Sequence, residues 1–510
     1  MIKKILANTQ QYITDNSKDE RKEKGQFFTS VETARYMANG VKAKETISLL
    51  DMGAGTGILS AAVVEKLLRS KKTRNIIITM YENDLNIIPV LNRNIDIMRE
   101  KCAKKNVQLD VNVIQENFIT YNEECWKQKL NGYYDVVISN PPYKKINKNS
   151  DESKAMIDIV YGQPNIYGLF MAMGLNLLRE KGTYITIVPR SWTSGLYFKA
   201  FRKYFLKNLN IKKMHLFVSR DKVFKEESVL QETMIIFGEK SQRQSGKITI
   251  ATSEENGNFA NTEKSVISKS TVITDNDDLY VLLPTSEEEQ KILDFMAKLP
   301  ETLESLGYAF KTGPVVEFRN EEHISRIDFD GAVPLIRPLH MNKGTIQFPI
   351  ETAKNQYIRY RDKDALFIEN ANTILLKRFT TKEGNRRLQP AIVVAEDFPY
   401  ENYAIENHVN YLVKEKDTIS EDELFGLMGV LASELWDKYY RILNGNTQVN
   451  AGEVNGIPMP SMVSLIEIGR RVRVEGVVNS DEIVKEVICG QSNDNASYTG
   501  ATASSSKTAK

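Results

Sequence analysis

The sequence predicts an α/β protein: a doubly wound domain built on a mostly parallel sheet, followed by a separate mixed, β-rich domain. Three observations predict this. Between Gly25 and about Lys240, short β-branched runs alternate with stretches of helical periodicity. The first of these runs ends in a glycine-rich turn that opens a helix. After Ser241 the alternation fades, and Gln, Ser, Gly and Asn dominate as far as Asn261.

Taken in order, residues 1–24 read as a polar lead-in ending in Asp19-Glu20-Arg21-Lys22-Glu23-Lys24. The expected strands are Ser48–Asp51, Ile76–Tyr81, Val111–Ile114, Asp135–Ser139, Tyr184–Val188 and Thr233–Phe237. Apolar strands separated by helix-length segments suit a parallel sheet covered by helices on both faces. Residues 25–240 are therefore the first domain and 241–460 the second, β-rich and irregular apart from one amphipathic helix at Glu421–Arg441. Residues 461–490 read as a helical segment. Residues 491–510, almost without apolar side chains, read as a disordered tail.

Composition narrows the function classes. The chain has 510 residues, 41% hydrophobic and 26% charged, with no apolar run near the ~18–20 residues of a membrane span. The apolar stretch of a signal peptide is missing behind Met1, so a cytoplasmic location is expected. Cys102, Cys125 and Cys489 lie far apart and are odd in number, which argues against a disulfide framework. Four scattered histidines without HExxH spacing give no reason to expect a metal. A net charge of +2 neither demands nor excludes a nucleic-acid partner.

The chemistry is carried by strand ends. The strand Ile47-Ser48-Leu49-Leu50 runs into Asp51-Met52-Gly53-Ala54-Gly55-Thr56-Gly57 and the helix Ile58–Arg69. Glycines there permit positive φ and let backbone amides approach a ligand. Such a loop alone could be an ordinary turn. Glu82 sharpens it, because an acidic residue closing the next strand of a doubly wound sheet reaches the hydroxyls of a ribose. A dinucleotide-binding dehydrogenase would share both features, but the fourth strand ends in Asn140-Pro141-Pro142-Tyr143. Two prolines fix φ and leave carbonyls without competing N–H groups. The Asn140 side-chain oxygen and the Pro141 carbonyl can accept the two hydrogens of an aromatic amine, and Tyr143 offers a ring face for a base. The bland alternative is a proline-rich loop capping the sheet.

Asn140-Pro141-Pro142-Tyr143, with Asp51–Gly57 upstream, resembles the amino-group DNA methyltransferases, and the order of parts resembles the gamma class of adenine-N6 enzymes. The resemblance spans roughly Lys22–Lys240. It implies a Rossmann-like catalytic domain that binds S-adenosylmethionine, with a target-recognition domain behind it. It places Thr29, in Gly25-Gln26-Phe27-Phe28-Thr29, near the methionine end of the cofactor, and assigns Asp51, Gly53, Gly55, Gly57 and Glu82 to its pocket. Asn117 and Phe118 stand where the family holds the cofactor adenine. Many relatives have Asp at the position of Asn117; Asn can still hydrogen-bond the amine, but the charge is gone. Asn165–Phe170 resembles the helix closing the pocket, and Gly182–Pro189 the strand after it. Phe224 falls where these enzymes carry a second aromatic that touches the flipped base, and it suits a core position equally well.

The second domain is similar to the recognition domain of the PstI/BsuBI type of modification enzyme, in Gly313–Arg319, Leu376–Arg387 and Glu406–Asn410. Lys377, Arg378, Lys382, Arg386 and Arg387, around Phe379, suit phosphate and base-edge contacts. Within each adjacent pair, Arg378 and Arg387 are expected to matter more. The alternative is a solvated basic hairpin.

The reading is thus a site-specific DNA adenine-N6 methyltransferase that flips its target base out of double-stranded DNA. Other enzymes with this strand-end motif act on a glutamine amide or an RNA base, but they are usually small. A non-catalytic recognition subunit is the remaining alternative, and the intact motifs speak against it. The chain outside 25–460 is shorter than the ~100 residues of a domain, so a cognate restriction endonuclease would be a separate protein.

Overall fold

The computed structural model describes residues 1–17, 19–20, 24–217, 233–253, 259–359, 366–381, 384–444 and 448–491. Phe224, Lys382 and the tail 492–510 lie outside the described residues. The described residues form two compact units, one within 1–294 and 442–446, the other within 295–441 and 447–510.

The first unit is a nine-stranded sheet with helices on both faces. Leaving aside short helical turns, its main elements in chain order are α1 (Ile2–Asp15), α2 (Val31–Ala38), β1 (Thr46–Met52), α3 (Ile58–Leu67), β2 (Asn75–Tyr81), α4 (Ile88–Ala103), β3 (Gln108–Ile114) and β4 (Tyr134–Ser139). They continue through α5 (Ile166–Leu177), β5 (Leu178–Pro189), α6 (Lys199–Asn208), β6 (Leu209–Phe217), β7 (Thr233–Lys240), β8 (Lys247–Ser253) and β9 (Glu263–Ser268). The spatial order is β3-β2-β1-β4-β5-β7-β6-β8-β9. The first five strands are parallel and β7 runs antiparallel between β5 and β6. Order reverses between β1 and β4, which makes their carboxyl ends the switch-point crevice of an open α/β sheet.

Alternation along β1 shows why the sheet is covered twice. Leu50 and Met52 enter the core shared with α5 and α6, whereas Ile47 and Leu49 enter the core shared with α1 to α4. Every residue of α5 is buried, and apart from Asn176, whose amide donates to the Cys125 and Leu130 carbonyls, its faces are apolar or carry the Tyr167 ring.

The structure departs from the sequence reading in three places. The lead-in is not simply polar: α1 buries Ile2, Ile5, Thr9 and Tyr12, and Ile2 and Ile5 join the α1–α4 core. The first unit does not stop at Lys240, because β8 pairs with β6, β9 pairs with β8, and compact packing continues to Asp294. The single helix expected at Glu421–Arg441 is two, Glu421–Ala432 and Glu434–Leu443, parted at Ser433, whose backbone is extended.

The second unit holds a six-stranded and a five-stranded sheet. The six-stranded sheet is centred on Thr373–Lys377, flanked by Val409–Lys414 and Pro390–Val393. Helices Glu421–Ala432 and Met462–Glu475 pack so closely that a Cβ on Gly469 would lie 1.8 Å from the Asp422 carbonyl oxygen. Among the described residues no helix is long and apolar enough to cross a membrane.

Candidate active site

A cavity of about 440 Å³ opens at the carboxyl ends of β1, β2 and β4. That volume is in the range of small-molecule and cofactor sites. The glycine turn forms its floor. Gly53, Gly55 and Gly57 have φ of 82°, 54° and 82°, a region closed to most side-chain-bearing residues. The amides of Gly53 and Ala54 bond the Tyr81 carbonyl at 3.0 and 2.8 Å, which locks the turn to the end of β2. Gly53 and Gly55 line the cavity. Asp51 and Gly57 do not. Asp51 is fully buried beneath the turn, where the Ser60 hydroxyl donates to it at 2.7 Å, and burial pushes its carboxyl up to about 7. Gly57 stands at the amino end of α3. Both shape the turn from behind.

Glu82 directly follows β2 and is held at both oxygens. The Gly55 amide donates to Oε2 and the Asp84 amide to Oε1, each at 2.9 Å. Burial pushes its pKa up, and these two bonds oppose the shift. A carboxylate so fixed at a cavity wall keeps lone pairs for the two hydroxyls of a ribose.

Across the cavity stands Asn140, just past β4. Its amide nitrogen donates to the Phe27 carbonyl at 2.7 Å and to the Thr29 hydroxyl at 3.1 Å. Its oxygen accepts from the Tyr143 hydroxyl at 2.6 Å. That hydroxyl also lies 3.1 Å from the Ile187 carbonyl. The strand-end loop and segment 25–29 are therefore one packed assembly. Asn140, Pro142 and Thr29 line the cavity, whereas Pro141 is buried and does not. Tyr143 is not the open platform expected from sequence, because the Phe27 ring stacks on it at 5.3 Å and 24°.

A family described as Eco57I restriction-modification methylase matches residues 50–224, from the glycine turn past Asn140–Tyr143. The Type II methyltransferase M.BsuBI of Bacillus subtilis is 31% identical over 474 residues, covering 91% of this chain and 92% of the relative. The chain belongs to the Type II restriction-modification methyltransferase family. M.PstI of Providencia stuartii is 30% identical over 474 residues, covering 92% of this methyltransferase and 93% of M.PstI. Among solved structures, a nuclease-deletion mutant of the Type ISP restriction-modification enzyme LlaGI shares the fold. Its TM-score is 0.50 at 12% identity, over 88% of this chain and 54% of LlaGI.

In this methyltransferase, Asn117 and Phe118 also line the cavity, but Asn117 is committed elsewhere than expected. Its oxygen caps the short helix Phe118–Tyr121 by accepting from the Ile119 and Thr120 amides at 3.0 and 3.3 Å. Phe118 is almost wholly buried, edge-on to Tyr81 and 5.0 Å from the Phe170 ring.

Sequence reasoning missed two parts of the site. Asp84 lines the cavity and accepts from Gln26 and Lys24 at 2.7 and 2.9 Å. Burial opposes its ionisation, but those bonds prevail and hold its carboxyl below the usual range. Helix α1 is the second part: Thr9 bonds Thr56 of the glycine turn at 2.7 Å, and Tyr12 reaches Asp84 at 3.3 Å. The spacing of Ile2, Ile5, Thr9 and Tyr12 was the available signal for that helix.

The basic cluster of the second unit splits. Arg387 is fully buried, with its guanidinium donating to the Thr380 carbonyl, so it is no surface for DNA. Burial also lowers its pKa. Arg386 is half-buried and turned inward, bonded to the Ala432 carbonyl and to Asp481. Arg378 donates to the Asn407 carbonyl at 2.9 Å. Lys377 is partly exposed, and Phe379, 49% exposed, stands edge-on to His408. Among the described residues, the basic candidates expected from sequence thus reduce to Lys377 and Arg378, beside Phe379 and His408.

Proposed function

We propose that this restriction-modification methyltransferase moves a methyl group from S-adenosylmethionine to the N6 amine of an adenine flipped out of double-stranded DNA. The observation that carries this is the meeting, on one cavity, of a ribose-type carboxylate at Glu82 and an amine-type acceptor at Asn140. Residues of the cavity fit the cofactor: positive-φ glycines let the protein main chain approach it closely, Glu82 suits its ribose, and Phe118 with Phe170 walls an aromatic slot.

When bound, the cofactor supplies an electrophilic methyl on a sulfonium. The chain supplies position and charge. An amide oxygen has two lone pairs, and the Tyr143 hydroxyl uses one on Asn140, leaving one for a hydrogen of the target amine. A preorganised acceptor there stabilises the positive charge that grows on nitrogen as it attacks. A hydrogen bond from the amine to this acceptor also draws the nitrogen toward tetrahedral geometry, which frees a lone pair otherwise delocalised into the ring; the Pro141 carbonyl expected as a second acceptor lies outside the cavity lining. The extra proton then leaves without a dedicated base, consistent with a cavity whose lining includes neither His nor Cys among the described residues. Flipping costs a few kcal/mol, and stacking on Tyr143 offsets part of it. A base using the ring face that Phe27 covers must displace Phe27, so segment 25–29 is coupled to substrate entry. The second unit selects the site, with Lys377, Arg378 and Phe379 as its local contacts.

Incubation with tritium-labelled cofactor and DNA, RNA or protein tests this. Label is expected in DNA alone, on adenine. Label in RNA or in a glutamine side chain would replace the reading, and none in any acceptor would make the chain a recognition subunit.

A further inference from the structure

We propose that Glu152 reads the adenine of the bound cofactor, accepting its exocyclic amine on the carboxylate oxygen that does not hold Asn117. This rests on the S-adenosylmethionine reading above. The expectation from sequence gave that task to Asn117, at the cost of a missing charge. In the structure the Asn117 oxygen is occupied by two backbone amides, of Ile119 and Thr120. An amide oxygen has two lone pairs, so nothing is left there for a third donor. The remaining face of Asn117 is its nitrogen, which donates and cannot receive an amine.

That nitrogen donates to Glu152 Oε1 at 2.8 Å. Glu152 comes from a different part of the chain, the short helix Asp151–Ala155, which the Ser150 hydroxyl caps. It is half-buried and lines the same cavity as Asn117, Phe118, Ile146, Ile166 and Phe170. Those apolar side chains make a wall for a flat ring, and Glu152 is a carboxylate at its edge. A carboxylate has about four acceptor positions, and the bond from Asn117 uses one and fixes the group's orientation. The charge absent from position 117 is thus restored from position 152. The ligand chemistry implied is a 6-aminopurine; a 6-oxopurine would set its carbonyl oxygen against the carboxylate.

Calorimetric titration of the full chain with S-adenosylhomocysteine, and with the analogue whose purine amine is replaced by a carbonyl, tests this without turnover. Wild-type protein is expected to prefer the amine by about tenfold to 150-fold, the range of one hydrogen bond to a charged group. Glu152→Ala is expected to bring the two affinities together. Glu152→Gln, which offers an acceptor to the amine or a donor to the carbonyl, is expected to bind both alike, and it serves should the Ala variant fail to fold. A structural role in holding Asn117 would weaken both ligands equally and leave the preference intact. A wild-type preference retained in either folded variant overturns the proposal. Wild-type protein that binds neither ligand removes the cofactor reading, and this inference with it; wild-type protein that binds both equally removes the inference alone.

Discussion

Changing Glu82 to Gln alters one atom and breaks a specific arrangement. Each Glu82 oxygen takes one backbone amide, from Gly55 or Asp84, at 2.9 Å. Whichever oxygen becomes NH2 in the variant faces an N–H donor, so one of the two anchoring bonds is lost and the charge goes with it. On the ligand side, one ribose hydroxyl loses a charged acceptor. A hydrogen bond to a charged group contributes about 1.5–3 kcal/mol, which corresponds to roughly 10- to 150-fold in Kd. Calorimetric titration with S-adenosylhomocysteine measures it. The pH dependence gives a second readout. Burial raises the Glu82 pKa, so in the wild type affinity is expected to fall as pH drops through that raised value, while the Gln variant stays flat. A variant within about threefold of wild type, with the same pH profile, would refute the assignment of Glu82 to the ribose.

Three further outcomes are expected. Asn140→Ala should abolish methyl transfer and also weaken cofactor binding by about 1 kcal/mol, because the Asn140 amide ties down Phe27 and Thr29; unchanged turnover contradicts this. Arg387→Ala should destabilise the second unit by about 1–3 kcal/mol rather than alter DNA readout, since it leaves the Thr380 carbonyl without this partner; an unshifted melting curve with weakened site-specific binding would restore Arg387 to the interface. Asp51 has a folded pKa of about 7, against about 3.9 in an unfolded chain. It binds its proton more tightly when folded, so its contribution to stability is full below about pH 4, falls as pH rises to about 7, and is flat above. Asp51→Asn should flatten that window in thermal melts, and an unchanged slope contradicts the buried, raised carboxyl.

The chemical motifs were legible because they are contiguous. In Asp51–Gly57 and Asn140–Tyr143 the residue types fix backbone shape within a few positions, and a strand end in a doubly wound sheet fixes where that shape sits. Residues that act through distant partners were not legible. Nothing near Glu152 signals that it meets Asn117, and Asp84 acquires its role only when Lys24 and Gln26 fold onto it. Charge runs misled in the second unit. Leu376–Arg387 displays its basic residues but not which way they turn, and Arg387 turned inward. Composition misled at the start and after Lys240: Ile2, Ile5, Thr9 and Tyr12 have helical spacing within a polar segment, and Lys247–Ser253 alternates as a strand between polar loops. At Ser433 a small capping-type residue before Glu434 was the signal that one apparent helix is two.

The most direct test is the modified base itself, measured in DNA from cells producing either the wild-type chain or Asn140→Ala, by single-molecule sequencing and by nucleoside analysis. Wild-type DNA is expected to carry N6-methyladenine at one short recurring sequence, and the variant's DNA to carry none. Methylation on cytosine, adenine methylation without a fixed sequence, or an undiminished signal from Asn140→Ala would contradict the assignment of this cavity to site-specific adenine methylation.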